Sequence, residues 1–185
     1  MRTETRERPP ECLRAYVPGV KSAPKMQILP MTARDIDAID QLAKDAGFHV
    51  EAAKELARSF AHCWVARLDT NSAEPDAFLL AWQAADELDV IAIASAVGSR
   101  RRGLARALVE QLLRYAVDAQ MRRVILEVRH SNVAAIELYR SFGFEEGRTR
   151  EGYYSEPTED GIEMSLEIND TLGAPKDGKH RCLEA

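Results

Sequence analysis

The segment "GLARALVEQLLRYAVDA" (103–119) lies between two apolar runs, "ELDVIAIASAV" (87–97) and "RVILEV" (123–128). Leu104, Leu108, Leu112 and Ala116 recur at the spacing of one helical face, with Ala105 and Val109 beside them. The flanking runs read as strands. A strand–helix–strand unit returns its second strand parallel to its first, because a helical crossover carries the chain back across the sheet. The segments around this unit alternate and turn as hairpins do. The chain therefore folds as an α/β protein with a mixed sheet that has one parallel junction.

The other elements follow from local signals. "KMQIL" (25–29) is a first strand. Thr32 with Asp35 three residues on makes a capping box, with Asp in place of the usual Glu. Ile36, Ile39, Leu42 and Ala43 supply the helical stripe behind it. A second helix is expected from Val50 to Ser59, a strand over 62–69, a turn at "TNSAEP" and a strand in "AFLLAWQAA". "NVAAIELYRSF" is a short helix with Asn132 as its N-cap. "FEEGRTREGYY" and "GIEMSLEI" close the domain as paired strands joined by "SEPTED". Residues 1–24, charged and with four prolines, read as a disordered leader; 170–185 read as a disordered tail, leaving one domain over 25–169.

Composition narrows the function classes. A net charge of −5 over 185 residues gives no whole-protein case for nucleic-acid binding. No apolar run approaches the ~20 residues that span a bilayer. The N-terminal stretch lacks the apolar core of a secretory signal. Cys12, Cys63 and Cys182 fit neither a disulfide framework nor a zinc site, which points to a reducing, cytoplasmic setting. The four histidines are scattered, and no metal site is expected.

Two features carry chemistry. "GSRRRGLARAL" joins a strand to a helix start, where free N–H groups and the positive end of the dipole meet Arg100, Arg101 and Arg102. Gly103 lets a ligand approach the backbone, so a phosphate or pyrophosphate ligand suits the site. The pattern is neither a Walker loop nor G-x-G-x-x-G. It also reads as a solvated basic helix start. The second feature is an acid, Glu127, inside the strand "RVILEV", with Tyr139 twelve residues later.

"RRRGLA" (100–105) resembles the Q/R-x-x-G-x-G/A acetyl-CoA signature of the GCN5-related N-acetyltransferase (GNAT) superfamily, with Ala105 where Gly is commoner. "LEVRHSNVAAIELYRSFGFEEGRTREGYY" resembles the protein N-terminal acetyltransferases of the ribosomal-protein-alanine type (RimI-like), with their L-E-V-R, S-N-x-x-A-I-x-L-Y-x-x-x-G-F and R-x-x-Y-Y sequence. The resemblance runs from about Met26 to Ile168. It implies the GNAT fold, whose central parallel strands splay apart to admit acetyl-CoA. It implies Glu127 as general base, directly or through a water, and Tyr139 as general acid toward the departing thiolate. It implies cofactor contacts from Ile93, Ala94 and Ser95, from Arg100, Arg101, Arg102, Gly103, Leu104, Ala105 and Arg106, and from Asn132. Tyr153 and Tyr154 would border the acceptor. The implied acceptor is a protein N-terminal α-amine, that of the alanine of ribosomal protein S18.

Each residue has a plainer reading. Glu127 could face solvent from a half-exposed strand, and Tyr139 could be a core aromatic. Asn132 could be only a cap, and Tyr153 and Tyr154 ordinary strand residues. Cys63 reads as packing and His130 as surface. The acceptor could instead be a lysine side chain or a small-molecule amine, and the chain could be a non-catalytic acyl-CoA-binding module or use its arginines on RNA. Glu145, Glu146, Glu151, Glu156, Glu159 and Asp160 crowd the closing hairpin, which suggests an acidic rim drawing a basic peptide.

Overall fold

The structure, a computed structural model, describes residues 26–69, 72–155 and 157–168. The leader and tail expected from the sequence lie outside the described residues. The central unit forms as β4 (Glu87–Ser95), α3 (Leu104–Asp118) and β5 (Arg123–Arg129), and β4 and β5 pair in parallel. The remaining strands are β1 (Gln27–Pro30), β2 (Ala61–Arg67), β3 (Ala77–Ala84), β6 (Glu145–Ser155) and β7 (Thr158–Glu167). They join one seven-stranded sheet in the order β1-β2-β3-β4-β5-β7-β6, and every pairing but β4–β5 is antiparallel.

The sheet is covered on both faces. Leu104, Leu108, Leu112 and Ala116 of α3 are buried against Val124, Leu126 and Val128 of β5 and against Leu88 of β4. The same core takes Ile136 and Tyr139 of α4 (Val133–Ser141). On the other face, Ile39 and Ala43 of α1 (Ile36–Asp45) and Ala52 of α2 (Ala52–Ala57) pack with Val65, Phe78, Leu80, Ala92 and Ala94. Burying a Leu or Ile side chain contributes roughly 1.5–3 kcal/mol. The capping box forms: the Thr32 N–H and hydroxyl both donate to Asp35 Oδ2 at 2.8 Å. The helix behind it opens with a 3-10 turn over Ala33–Asp35. Several elements are a few residues shorter or shifted from their sequence limits; α2 has six residues where ten were expected, since its stripe has only Ala52 and Glu55 to bury. Among the described residues no helix is long and apolar enough to cross a membrane.

One local irregularity opens the sheet. Leu80 pairs with Ala92 but Ala81 pairs with Val90, so Ile91 is an extra residue in β4. Such a bulge bends a strand and flips its side chains: Val90 and Ile93 both pack on the α3 side, while Ile91 joins the other core. The β4–β5 pairing runs from Glu87↔Arg123 to Val90↔Leu126 and stops there, although both strands continue. The sheet forks at that rung.

Candidate active site at the fork of the sheet

Glu127 is the first residue of β5 beyond the last β4–β5 rung. In β5, Val124, Leu126 and Val128 are buried beneath the helices, so Ile125, Glu127 and Arg129 point from the other face. That parity lets an acid sit in an apolar strand. The Arg150 guanidinium donates from Nη1 to Glu127 Oε1, and the Tyr153 hydroxyl donates to Oε2. Arg150 also lies over the Tyr153 ring, 4.4 Å from its centroid, and Tyr153 meets Tyr154 edge-on at 5.0 Å. Hydrogen bonding to Glu127 is the first cause that pushes the Tyr153 phenol up to about 12, with desolvation second. The same contact raises Arg150.

Two irregularities in β6 aim these donors. The β6–β7 register slips between Glu146 and Thr149 and again between Arg150 and Tyr154. Gly152 lies between Arg150 and Tyr153 at φ +59°, and its N–H donates to Asp160 Oδ1 at 2.8 Å. Arg150 was not among the expected site residues; its signal in the sequence is the Arg of the R-x-x-Y-Y stretch. Tyr153, expected to border an acceptor, is bound to Glu127 by its hydroxyl while its ring stays substantially exposed.

Tyr139 stands on the α4 side. Its ring is 4% exposed and packs against Phe144, with centroids 5.7 Å apart. Burial, and then the Tyr154 phenol, hold its pKa well above the usual tyrosine range. The hydroxyl has no hydrogen-bond partner among the described residues, yet it is not among the sealed-off unpartnered polar atoms. Tyr139 is thus a core aromatic with an accessible tip. It makes no hydrogen bond to Glu127; Tyr154 lies between them electrostatically, since its own phenol is raised by burial and then by Glu127.

The helix start has the expected form. Gly103 is the N-cap of α3 at φ +84°, and Arg101 is also left-handed at φ +58°. The backbone N–H groups of Arg101, Arg102, Gly103, Leu104 and Ala105 make no hydrogen bond among the described residues. Two left-handed residues beside a helix start turn such N–H groups toward one concavity, the geometry of an anion nest. A Cβ at Gly103 would meet only Met26 Cε, at 3.9 Å, so the space there is open. Arg101 and Arg102 are exposed without a charged partner among the described residues. Arg100 makes one long contact, Nε to Ser95 O at 3.5 Å. Arg106 also reaches a second helix: its guanidinium donates to Ser141 Oγ at 3.0 Å and lies over Phe142, where α4 ends beside the first turn of α3. Its side chain ties two helices.

Ile93, Ala94 and Ser95 lie in β4 beyond the fork, paired with β3 on one side only. Asn132 caps α4 by accepting from the Ala135 N–H at 3.3 Å, and its amide group has no partner among the described residues. Several acids of the closing hairpin already have partners, two of them outside it. Glu146 pairs with Arg140; Glu159 pairs with Arg129 and accepts from the Ser131 N–H; Asp160 holds Gly152. Glu145 and Glu151 stand exposed with no partner among the described residues, and Glu156 lies outside those described. The rim is therefore less acidic than the count of carboxylates suggested. Burial, then Asp35 and Glu55, push the Cys63 thiol up to about 12, which suits packing and not nucleophilic attack. A cavity of about 270 Å³ beside Cys63, His62 and Tyr115 contains none of the fork residues. Among the described residues no group of three or more His, Cys, Asp or Glu side chains could hold a metal ion.

A forked parallel pair with an anion nest at the crossover helix defines an acyl-CoA-dependent transferase fold, and residues 33–144 match the acetyltransferase (GNAT) family model. The chain belongs to that family. Over 97 residues it is 39% identical to the [ribosomal protein bS18]-alanine N-acetyltransferase of Escherichia coli K12, a stretch covering 52% of this chain and 64% of that protein. The match thus spans slightly under two thirds of the relative's length. A putative [ribosomal protein bS18]-alanine N-acetyltransferase of Bacillus subtilis 168 is 28% identical over 155 residues, covering 79% of this chain and 98% of that one. Among solved structures, the ribosomal-protein-S18-alanine N-acetyltransferase of Escherichia coli superposes with a TM-score of 0.70 at 28% identity, covering 84% of this chain and 99% of that chain. Arabidopsis thaliana NAA60 in complex with acetyl-CoA superposes with a TM-score of 0.68 at 20% identity, covering 78% and 99%, a likeness of fold.

Proposed function

We propose that this protein transfers acetyl from acetyl-CoA to a protein N-terminal α-amine, the alanine of ribosomal protein bS18 being the leading acceptor. The observation that carries the reading is the fork: pairing ends at Val90↔Leu126, and the next side chain of β5 is Glu127. The names of the similar proteins supply the acceptor. A ribosomal acceptor places the reaction in the cytoplasm.

The residues present fit acetyl-CoA. The unbonded N–H groups from Arg101 to Ala105, with the charges of Arg101 and Arg102, suit its phosphates. The free edge of β4 at Ile93, Ala94 and Ser95 and the amide of Asn132 suit its arm. Bound there, the cofactor supplies an acetyl group as a thioester, which a neutral amine can accept.

The chain's own side chains manage the protons. An α-ammonium has a pKa of ~8 and is mostly charged at neutral pH. Glu127 accepts that proton at the fork, leaving the amine lone pair free. Tyr139, held above the normal phenol range by burial, stays protonated through neutral pH and gives its hydroxyl proton to the leaving sulfur.

Mass spectrometry of a peptide panel tests the reading. The bS18 N-terminal peptide should gain one acetyl group on its α-amine. The same peptide with a blocked N-terminus should gain none on an internal lysine. Turnover of small amines with no peptide acetylated would replace this reading by a small-molecule one.

A further inference from the structure

Glu127 takes both its donors from a strand that is not its neighbour. β7 lies between β5 and β6, so Arg150 and Tyr153 reach Glu127 across β7. The β7 residue they cross is Gly161, in register with Arg129 of β5 on one side and with Arg150 of β6 on the other. A Cβ added to Gly161 would lie 3.0 Å from Tyr153 Cδ1 and 3.2 Å from both its Cβ and Cγ. These are atoms at the root of the tyrosine, so relief requires moving β6 or the whole ring and not merely swinging a flexible tip. The space a side chain would occupy at 161 is filled by Tyr153.

The charges explain why Glu127 needs holding. Glu163 of β7 stands directly opposite it, and Asp89 of β4 is close enough to feel its charge. Arg150 and Tyr153 of β6 provide the opposing donors, while Tyr154 borders the group. Left alone, the carboxylate would turn away from Glu163 and Asp89. An ionised carboxylate has about four acceptor positions. Arg150 uses one on Oε1 and Tyr153 one on Oε2, so each oxygen keeps a lone pair for a proton.

Building on the assignment of Glu127 as base, we propose that Arg150 and Gly161 are positioning residues: Arg150 holds the Glu127 carboxylate directly, and Gly161 leaves the space from which Tyr153 holds it. The device acts on the base alone, because the anion nest lies at the start of α3.

Full-length Gly161→Ala, Gly161→Val, Arg150→Lys and Arg150→Met test it, alone and combined with Glu127→Gln. Turnover should fall in graded fashion at Gly161 and by about 10²-fold in Arg150→Met, the cost of a roughly 1 Å misplacement. Arg150→Lys should restore part of it, and acetyl-CoA affinity by calorimetry should not change. In the Glu127→Gln background the same substitutions should have almost no further effect. NMR titration of ¹³C-labelled tyrosine should show the Tyr153 phenol falling from about 12 toward ~10 in Gly161→Ala, with Tyr139 unmoved. Equal losses from Arg150→Met in both backgrounds, or an unmoved Tyr153 titration with full turnover in folded Gly161→Ala, would overturn the proposal. If Glu127→Gln itself keeps wild-type turnover, the assignment of the base fails instead, and the tyrosine titration still decides whether Gly161 seats Tyr153.

Discussion

Glu127 and Glu163 stand directly opposite one another across β5 and β7. Like charges in that relation destabilise a sheet. Each is met by an arginine of β6: Arg150 for Glu127, and Arg148 for Glu163 at 2.9 Å. The closing hairpin thus contributes the cations that let two acids share one face at the fork.

Replacing Glu127 by Gln keeps the shape and removes the base. Turnover should fall roughly 10²- to 10⁴-fold at neutral pH. The deficit should narrow as pH rises past ~8, where the acceptor amine is already neutral. A kcat/KM profile parallel to wild type at every pH would remove Glu127 from that role.

The Tyr139 hydroxyl holds no partner among the described residues, whereas its ring is packed. Tyr139→Phe should therefore slow turnover and leave stability within about 0.5 kcal/mol of wild type in urea unfolding. Acetyl-CoA affinity should stay the same, since only a proton donor is lost. Unchanged turnover, with the chemical step shown to limit the rate, would leave Tyr139 a packing residue.

Gly103 has open space around it but a left-handed backbone. Gly103→Val should cost about 1–2 kcal/mol in stability from backbone strain. It should also abolish acetyl-CoA binding, because its side chain would stand between the free N–H groups and a phosphate. Calorimetry on the folded variant is the check; wild-type affinity there would mean the nest is not the phosphate site.

Desolvation, then Glu127, Glu87 and Glu163, raise the Asp89 carboxyl above its ordinary value, and Arg123 only partly opposes them. A carboxyl raised on folding favours its protonated form in the native state, so its charge opposes folding above the native pKa. That opposition is lost as pH falls below the unfolded value. Asp89→Asn should therefore raise the Tm at pH 7, and the gain should disappear as pH is lowered through the carboxylate range. A Tm lowered at pH 7 would show that Asp89 has a favourable partner.

Much of this molecule is written in short spacings. The α3 stripe, the alternation of β5, the Asn132 cap and the Thr32–Asp35 box each depend on residues within four positions of one another, where backbone geometry alone fixes which side chains meet. The parallel junction was legible too, because a helix between two strands allows little else. Glu127 and the glycine of the nest stood out as exceptions to those local patterns.

The rest depended on which strands became neighbours. The extra residue at Ile91 exists only in the register between β3 and β4, and it directly follows the last rung that β4 and β5 share. Glu163 faces Glu127 because β7 inserts between β5 and β6, and Arg150 and Tyr153 reach the same carboxylate because β6 slips register twice and Gly161 leaves room. The contact of Arg106 with Ser141 likewise exists only because α3 and α4 pack side by side. A one-residue slip in any of these pairings would send the side chains to the opposite face. Local sequence cannot choose among such registers; the choice belongs to the packing of the whole sheet between its two helical layers.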